Sequence, residues 1–262
     1  MRWLAEASAR CGRWLTIEVE VQSTAGALRF RCQNAQTLRR AYTLFVKEPG
    51  TITWLDEQLQ EGDVLLDVGA NIGVYTIYAA LRVGPRGHVF AVEPHLRNAV
   101  ALLENVYANG FQERVTVLTV ALCDVPKVAR FDYREWDIGS SDSQLDTETR
   151  TPAFGGELKF AQSIDALVHC GAIRSPDLIK VDVDGLEPLI VRGMTTLLRG
   201  SSRPRSVQIE CEPTTLAEVE QTMTDCNYRL ALRHATMAGA KRLHPGIDIA
   251  ATTHNAIFAP AT

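Results

Sequence analysis

Val64-Leu65-Leu66-Asp67-Val68-Gly69-Ala70-Asn71-Ile72-Gly73 reads as a buried parallel strand that runs into a glycine-bearing turn and opens a helix. Bare backbone at such a turn admits a nucleotide-like ligand, and a helix N-terminus presents N–H groups to it. Twenty residues past Gly73, a second apolar strand, His88-Val89-Phe90-Ala91-Val92, ends on Glu93. A carboxylate at that distance suits the two hydroxyls of a ribose. Strand, turn, helix, strand and acid together predict an adenosine-containing cofactor.

The spacing narrows the choice. A nicotinamide or flavin site needs G-x-G-x-x-G, whose second glycine lets a pyrophosphate approach. Here Gly69 and Gly73 flank Ala70-Asn71-Ile72, no third glycine follows in register, and Asp67 would repel a pyrophosphate. No Gly-Lys-Ser/Thr closes the turn, so a Walker loop is excluded. A carboxylate beside the turn instead favours a cationic ligand, and S-adenosylmethionine carries both a sulfonium and an ammonium. Asp67 would act on it directly or by fixing the turn; its alternative role is to bond turn amides only. The alternative for Glu93 is a surface acid at a strand end.

The 262 residues suffice for one large α/β domain or a domain with an extension. Hydrophobic residues at 46% and charged residues at 22% predict an ordinary soluble core. A net charge of −4 argues against a broad nucleic-acid surface, and Arg39-Arg40 and Arg203 with Arg205 read as solvated faces. No apolar run reaches the ~20 residues of a membrane span. Arg2, Glu6, Arg10 and Arg13 interrupt any signal-peptide core, so a cytoplasmic location is expected. The six cysteines, Cys11, Cys32, Cys123, Cys170, Cys211 and Cys226, form no C-x-x-C pair, which predicts reduced thiols without zinc or disulfides.

Alternation over residues 15–33, broken at Ser23-Thr24-Ala25-Gly26, predicts a hairpin. Short helices fit 37–46 and 52–60. The expected division is residues 1–60 as a hairpin-plus-helix extension and 61–262 as the cofactor-binding domain. Strands are expected at 64–68, 88–92, 115–121, 177–183, 206–211, 228–233 and 255–259, and helices at 73–82, 96–108, 163–170, 187–198 and 214–225. In the 96–108 helix, Leu96, Val100, Leu103 and Val106 recur at helical spacing and are expected to face inward. The order predicts an α/β fold, a doubly wound, mostly parallel seven-stranded sheet with an antiparallel pair at one edge. Residues 132–162 are polar, rich in Gly, Ser, Asp and Thr, and read as a long unpatterned insert. The N-terminal hairpin could cover the site or build a homodimer.

Asp177-Leu178-Ile179-Lys180-Val181-Asp182-Val183-Asp184-Gly185-Leu186-Glu187 is the second signal. Alternation puts Lys180 and Asp182 on one face and Ile179 and Val181 on the other. Ligands of open α/β sheets bind beyond the strands' carboxyl ends, so Asp67, Glu93 and Asp182 should converge there. Asp182 is the candidate to orient an acceptor hydroxyl and take its proton, with Glu210 at the next strand end as the second candidate. Asp182 could instead only neutralise Lys180. Asp184 and Glu187 read as a capping box. Asp182, Asp184 and Glu210 are also oxygen ligands of the kind Mg²⁺ takes, but capping explains Asp184 without an ion, and no metal is expected.

Lys47-Glu48-Pro49-Gly50-Thr51-Ile52-Thr53-Trp54, Asp67-Val68-Gly69-Ala70-Asn71-Ile72-Gly73, Ala91-Val92-Glu93-Pro94, Asn105 with Asn109, and Ile179-Lys180-Val181-Asp182-Val183-Asp184-Gly185-Leu186-Glu187 resemble the FkbM family of S-adenosylmethionine-dependent methyltransferases. The resemblance covers about residues 45–260. It implies the class I, Rossmann-like methyltransferase fold, with S-adenosylhomocysteine as product, and O-methylation of a hydroxyl on a small molecule, a carbohydrate or a natural product. The expected cofactor set is Glu48, Thr51, Asp67, Gly69, Asn71, Gly73, Glu93, Ala121 and Asp182, with Ala121 against the adenine and Glu48 and Thr51 over the methionine end. Thr51 could equally cap a helix. The rival readings are a binding protein without catalysis, a NAD-dependent oxidoreductase, and methylation of RNA or protein.

Overall fold

The first of the strands expected from the opening motif forms where its residues dictate: all five residues of β3 (Val64–Val68) are buried. In the computed structural model, which describes residues 16–141, 143–145, 155–241 and 247–261, β3 lies inside a seven-stranded sheet. Its neighbours are β4 (His88–Val92) and β10 (Leu178–Val181), both parallel to it. The sheet continues through β5 (Val115–Leu118) on one side and β11 (Ser206–Cys211) on the other. β13 (His254–Pro260) enters antiparallel between β11 and β12 (Tyr228–Ala235), giving the order β12-β13-β11-β10-β3-β4-β5. The mostly parallel seven-stranded α/β sheet is therefore as expected, with the antiparallel strand set inside the edge. The expectations on residues 1–15, including Cys11, and on residues 146–154 of the insert lie outside the described residues.

Two apolar layers clothe the sheet. On one face Leu65 and Leu178 meet Ile77 and Tyr78 of α4 (Val74–Val83) and Leu102 of α5 (Leu96–Ala108). Val19, Leu28 and Phe30 of the hairpin β1 (Ile17–Ser23) and β2 (Gly26–Cys32) belong to the same core. So do Ala41 of α1 (Ala35–Tyr42), Leu44 of α2 (Leu44–Lys47) and Trp54 of α3 (Pro49–Gln58). Trp54 Nε1 donates to Ser206 Oγ (2.8 Å), which fixes α3 against the sheet. On the other face Leu66, Val68, Ile179, Val181, Val207 and Ile209 pack under α6 (Ile164–His169), α7 (Glu187–Arg192), α8 (Thr195–Arg199) and α9 (Leu216–Asp225). Burial of each such aliphatic side chain contributes roughly 1.5–3 kcal/mol.

Three expectations are corrected. First, α5 does not turn its Leu96 stripe inward: Leu96, Val100 and Leu103 are 40%, 56% and 41% exposed, and only Val106 is buried. The inner face carries Asn98 and Asn105 with Ala101 and Leu102. Asn105 Oδ1 accepts from Arg31 N (2.7 Å) and Asn109 Oδ1 from Arg29 N (2.8 Å), so the two asparagines grip the edge of β2. Edge backbone groups left unpaired would outweigh the exposed leucines. Second, residues 132–162 are not all unpatterned. β7 (Lys127–Tyr133), β8 (Gln144–Leu145), β9 (Gly155–Gln162) and β6 (Ala121–Leu122) make a four-stranded sheet of order β6-β9-β7-β8. Third, the 187–198 helix is broken at Gly193-Met194. A Cβ at Gly193 would lie 2.3 Å from Cys123 O, so the chain passes too close there for a regular side-chain-bearing helix.

Candidate active site

The N–H groups of the turn after β3 are taken up by the end of β4, by Glu93 and by the turn itself. Gly69 N and Ala70 N both donate to Val92 O (3.0 and 3.1 Å), and Gly73 N donates to Ala70 O (2.8 Å). Asn71 N donates to Glu93 Oε2 (2.7 Å), and Ile72 N to Asn71 Oδ1 (2.9 Å). Every N–H from Gly69 to Gly73 thus has an internal acceptor. The N–H groups of the turn itself, as distinct from those of the first helical turn of α4, are therefore not available to a pyrophosphate. Gly69 takes φ +79°, and a Cβ on it would stand 1.8 Å from Asp182 O, because the ends of β3 and β10 approach backbone to backbone.

Glu93 follows β4 and is 5% exposed on the wall of a cleft of about 700 Å³. Its Oε1 accepts from His95 N (2.8 Å) and its Oε2 from Asn71 N. A carboxylate has about four acceptor positions, so with the Asn98 side chain also bonded to it Glu93 still keeps acceptor capacity for a ligand. Burial raises the Glu93 pKa to about 7 against the lowering effect of the two backbone donors. Gly69, Asn71, Pro94, His95, Asn98 and Ser140 line the same end of the cleft. An adjoining apolar slot of about 350 Å³ is walled by Val92, Pro94, Ala121, Leu122, Phe131 and Leu186. Ser143 Oγ stands where slot and cleft meet, buried and without a hydrogen-bond partner.

The other end of the cleft carries Asp182, Asp184, Glu210, Arg40 and Lys47. Lys180 lies beneath, 2% exposed, with Nζ 2.9 Å from Asp182 Oδ2 and 3.9 Å from Asp67 Oδ1. Lys180 and Asp67 are register partners on adjacent strands. Burial lowers the Lys180 pKa, but Asp182, Asp67 and Glu48 outweigh it and the net shift is upward. Asp182 is held below the usual carboxylate range because Lys180 and Lys47 overcome its burial. Glu210 goes the opposite way: burial, then the charges of Asp182 and Glu48, keep it protonated at neutral pH. The Asp182–Glu210 pair therefore carries one proton.

Asp67, Glu48, Thr51 and Gly73 stand one layer below the cleft wall. Asp67 Oδ2 accepts from Thr76 Oγ1 (2.6 Å), and its Oδ1 has no hydrogen-bond donor. It bonds no turn amide. Glu48 Oε1 is 2.7 Å from Lys47 Nζ, and Glu48 Oε2 accepts from Thr51 Oγ1 (3.2 Å) and Asn255 Nδ2 (3.3 Å). Gln208 Nε2 completes the group by donating to Thr51 Oγ1 (2.9 Å). Helix α3 begins at Pro49, so Thr51 is not its cap. Gly73 is the left-handed residue that starts α4, and a Cβ there would meet Leu102 Cδ1 at 2.1 Å.

Asp184 and Glu187 do not form a capping box. Asp184 takes φ +58°, α7 is capped at Leu186, and Glu187 Oε1 instead accepts from Val183 N and Gly185 N (both 3.2 Å), bracing the loop below the cleft. Among the described residues no three His, Cys, Asp or Glu side chains are grouped to hold a metal ion. Arg40 departs from its reading as a solvated face: its Nε donates to Gly139 O (2.9 Å) and its Nη2 to Ser141 Oγ (2.7 Å), which points the guanidinium along the cleft. Arg205 pairs with Asp63 and, at 3.7 Å, with Asp177. Arg40, Lys47, His95, Asn98, Ser140 and Ser143 come to the cleft from segments whose chemistry has no local spacing signal.

Residues 67–230 match the methyltransferase FkbM domain. The chain belongs to the FkbM methyltransferase family. The FkbM match begins within β3, takes in Glu93, Asp182 and Glu210, and stops within β12. A curated relative, hexuronic acid methyltransferase AglP of Haloferax volcanii, is 29% identical over 182 residues, which are 66% of this chain and 66% of that protein. The match thus spans just under two thirds of that relative's length. Two crystal structures share the fold: a putative rRNA-methylase from Clostridium thermocellum (TM-score 0.51, 8% identity, 82% of this chain and 95% of that one), and an FkbM methyltransferase from Methylobacillus flagellatus KT (TM-score 0.50, 14% identity, 86% of this chain and 55% of that one). No helix among the described residues is long and apolar enough to cross a membrane.

Proposed function

We propose that this protein is an S-adenosylmethionine-dependent O-methyltransferase whose acceptor is a carbohydrate hydroxyl. One observation carries the cofactor reading: a buried carboxylate, Glu93, with spare acceptor positions, stands beside a turn whose N–H groups are all taken. That combination suits a ribose diol without a pyrophosphate and disfavours a dinucleotide. The apolar slot with the unpartnered Ser143 Oγ suits an adenine ring and one of its polar edge atoms. Asp182 and Asp184 offer negative charge to the ammonium and sulfonium. The curated hexuronic acid methyltransferase supports a carbohydrate acceptor.

S-adenosylmethionine supplies a methyl group on a sulfonium, open to in-line attack by a nucleophile. The protein's task is alignment, which can lower a barrier by about 7–11 kcal/mol. Asp182, ionised and fixed by Lys180, accepts a hydrogen bond from the acceptor hydroxyl and takes its proton as the new C–O bond makes that proton acidic. Glu210, protonated, donates toward Asp182 and keeps the pair at a single negative charge. Lys180 and Asp67 hold this pair from below.

Incubating the protein with isotopically labelled S-adenosylmethionine and a metabolite extract is expected to give a labelled sugar ether, identified by mass spectrometry; label found only on protein or RNA would overturn the acceptor class. The Glu93 carboxylate also sets a pH dependence. Its acceptor form is lost as pH falls through about 7. S-adenosylhomocysteine is therefore expected to bind about tenfold more weakly at pH 6 than at pH 8. An affinity that does not weaken over this range would remove Glu93 from the ribose.

A further inference from the structure

We infer that the acceptor carries an anionic group, a carboxylate or a phosphate, which docks in a basic groove beside the methyl-transfer cleft. The inference rests on the methyltransferase reading above and adds the chemical class of the acceptor. The groove is open to solvent and is lined by Arg39, Arg40, Lys47 and Lys241, with Gln36, Thr43 and Ser141 between them. Among the described residues no Asp or Glu lines it. In a chain of net charge −4, four cations around one hollow make a local field of the opposite sign, which draws in and orients an anion.

The groove is built rather than incidental. Gln36, Arg39, Arg40 and Thr43 recur at helical spacing along α1 and its C-terminus, so one helix face supplies most of the wall. Arg40 is held by Gly139 O and Ser141 Oγ, and Lys47 by Glu48. These two side chains border both groove and cleft. Arg39 and Lys241 have no carboxylate partner among the described residues. The cleft beyond Arg40 and Lys47 is acidic, with Asp182 and Asp184. An acceptor bearing an anion is repelled from that end and attracted to the groove. It therefore enters one way round, anion on the arginines and hydroxyl toward Asp182.

The test is calorimetric titration of wild type and the Arg39→Gln/Lys241→Gln variant with inorganic phosphate, D-glucuronate and D-glucose at low salt. S-adenosylhomocysteine is titrated in parallel. The expected result is that phosphate or glucuronate binds wild type and binds the variant at least about tenfold more weakly. Glucose is expected to bind neither, and S-adenosylhomocysteine to bind both alike. The tighter anion names the source, phosphate or carboxylate. Equal anion affinity in both proteins, or no anion binding to wild type at tens of millimolar, overturns the groove. Loss of S-adenosylhomocysteine binding in wild type overturns the methyltransferase reading instead.

Discussion

Lys180→Met is expected to lower folding stability by about 3–5 kcal/mol, because it leaves two carboxylates without their shared counter-ion. Asp67 is 1% exposed and its Oδ1 has no hydrogen-bond donor, so Lys180 is what balances its charge. Methionine fills much of the volume, so the loss measures charge rather than a cavity. The variant's buried acids hold their protons above the unfolded Asp pKa. Their protonation then stabilises the fold below that value and is lost as pH rises through the raised folded pKa, so the deficit is larger at pH 8 than at pH 5. Urea denaturation at the two pH values measures it. Adding Asp67→Asn to the variant should recover part of the loss. A deficit under about 1 kcal/mol at pH 8 would mean that Lys180 is not the electrostatic centre of the sheet.

Asp182→Asn is expected to reduce kcat by about 10²- to 10⁴-fold once an acceptor is in hand, the range that a positioned proton acceptor supplies. Glu210→Gln should reduce it far less, because glutamine copies the neutral, donating form that Glu210 adopts beside Asp182. The two substitutions therefore separate the members of the pair that carries one proton. If Glu210→Gln proves the more damaging, Glu210 is the group that takes the proton. Unchanged turnover in both variants would remove the pair from catalysis.

The sheet was legible in the chain because its strands are short apolar runs buried on both faces. Residues 64–68, 88–92 and 206–211 form strands at the very bounds their composition marks. Of the three acids expected to converge by the rule that ligands gather at strand carboxyl ends, Glu93 and Asp182 line one cleft, joined there by Glu210, while Asp67 lies beneath it against Lys180. Whatever depended on tertiary partners was hidden. The apolar stripe of α5 pointed inward by periodicity, yet Asn105 and Asn109 serve backbone groups of β2, more than seventy residues away in the chain. Gly69 carries φ +79° and lets Asp182 O approach, a packing need that has no local signal, in addition to its place on the cleft wall. Asp184 and Glu187 had the spacing of a helix cap, but the left-handed turn at Asp184 and Gly185 moves the helix start to Leu186. The β7–β9 ladder escaped notice because its outward residues, Val128, Leu158 and Phe160, are exposed and apolar, which erases the expected alternation of polarity.

The central claim is that a ribose-bearing methyl donor sits at the ends of β3 and β4 with its diol on Glu93. The most direct measurement is calorimetry of S-adenosylhomocysteine binding to wild type and Glu93→Ala at pH 8. Each hydrogen bond to a charged acceptor contributes about 1.5–3 kcal/mol, so the variant should bind at least tenfold more weakly than wild type. Undiminished affinity in Glu93→Ala, or no binding to wild type at millimolar concentration, would contradict the account.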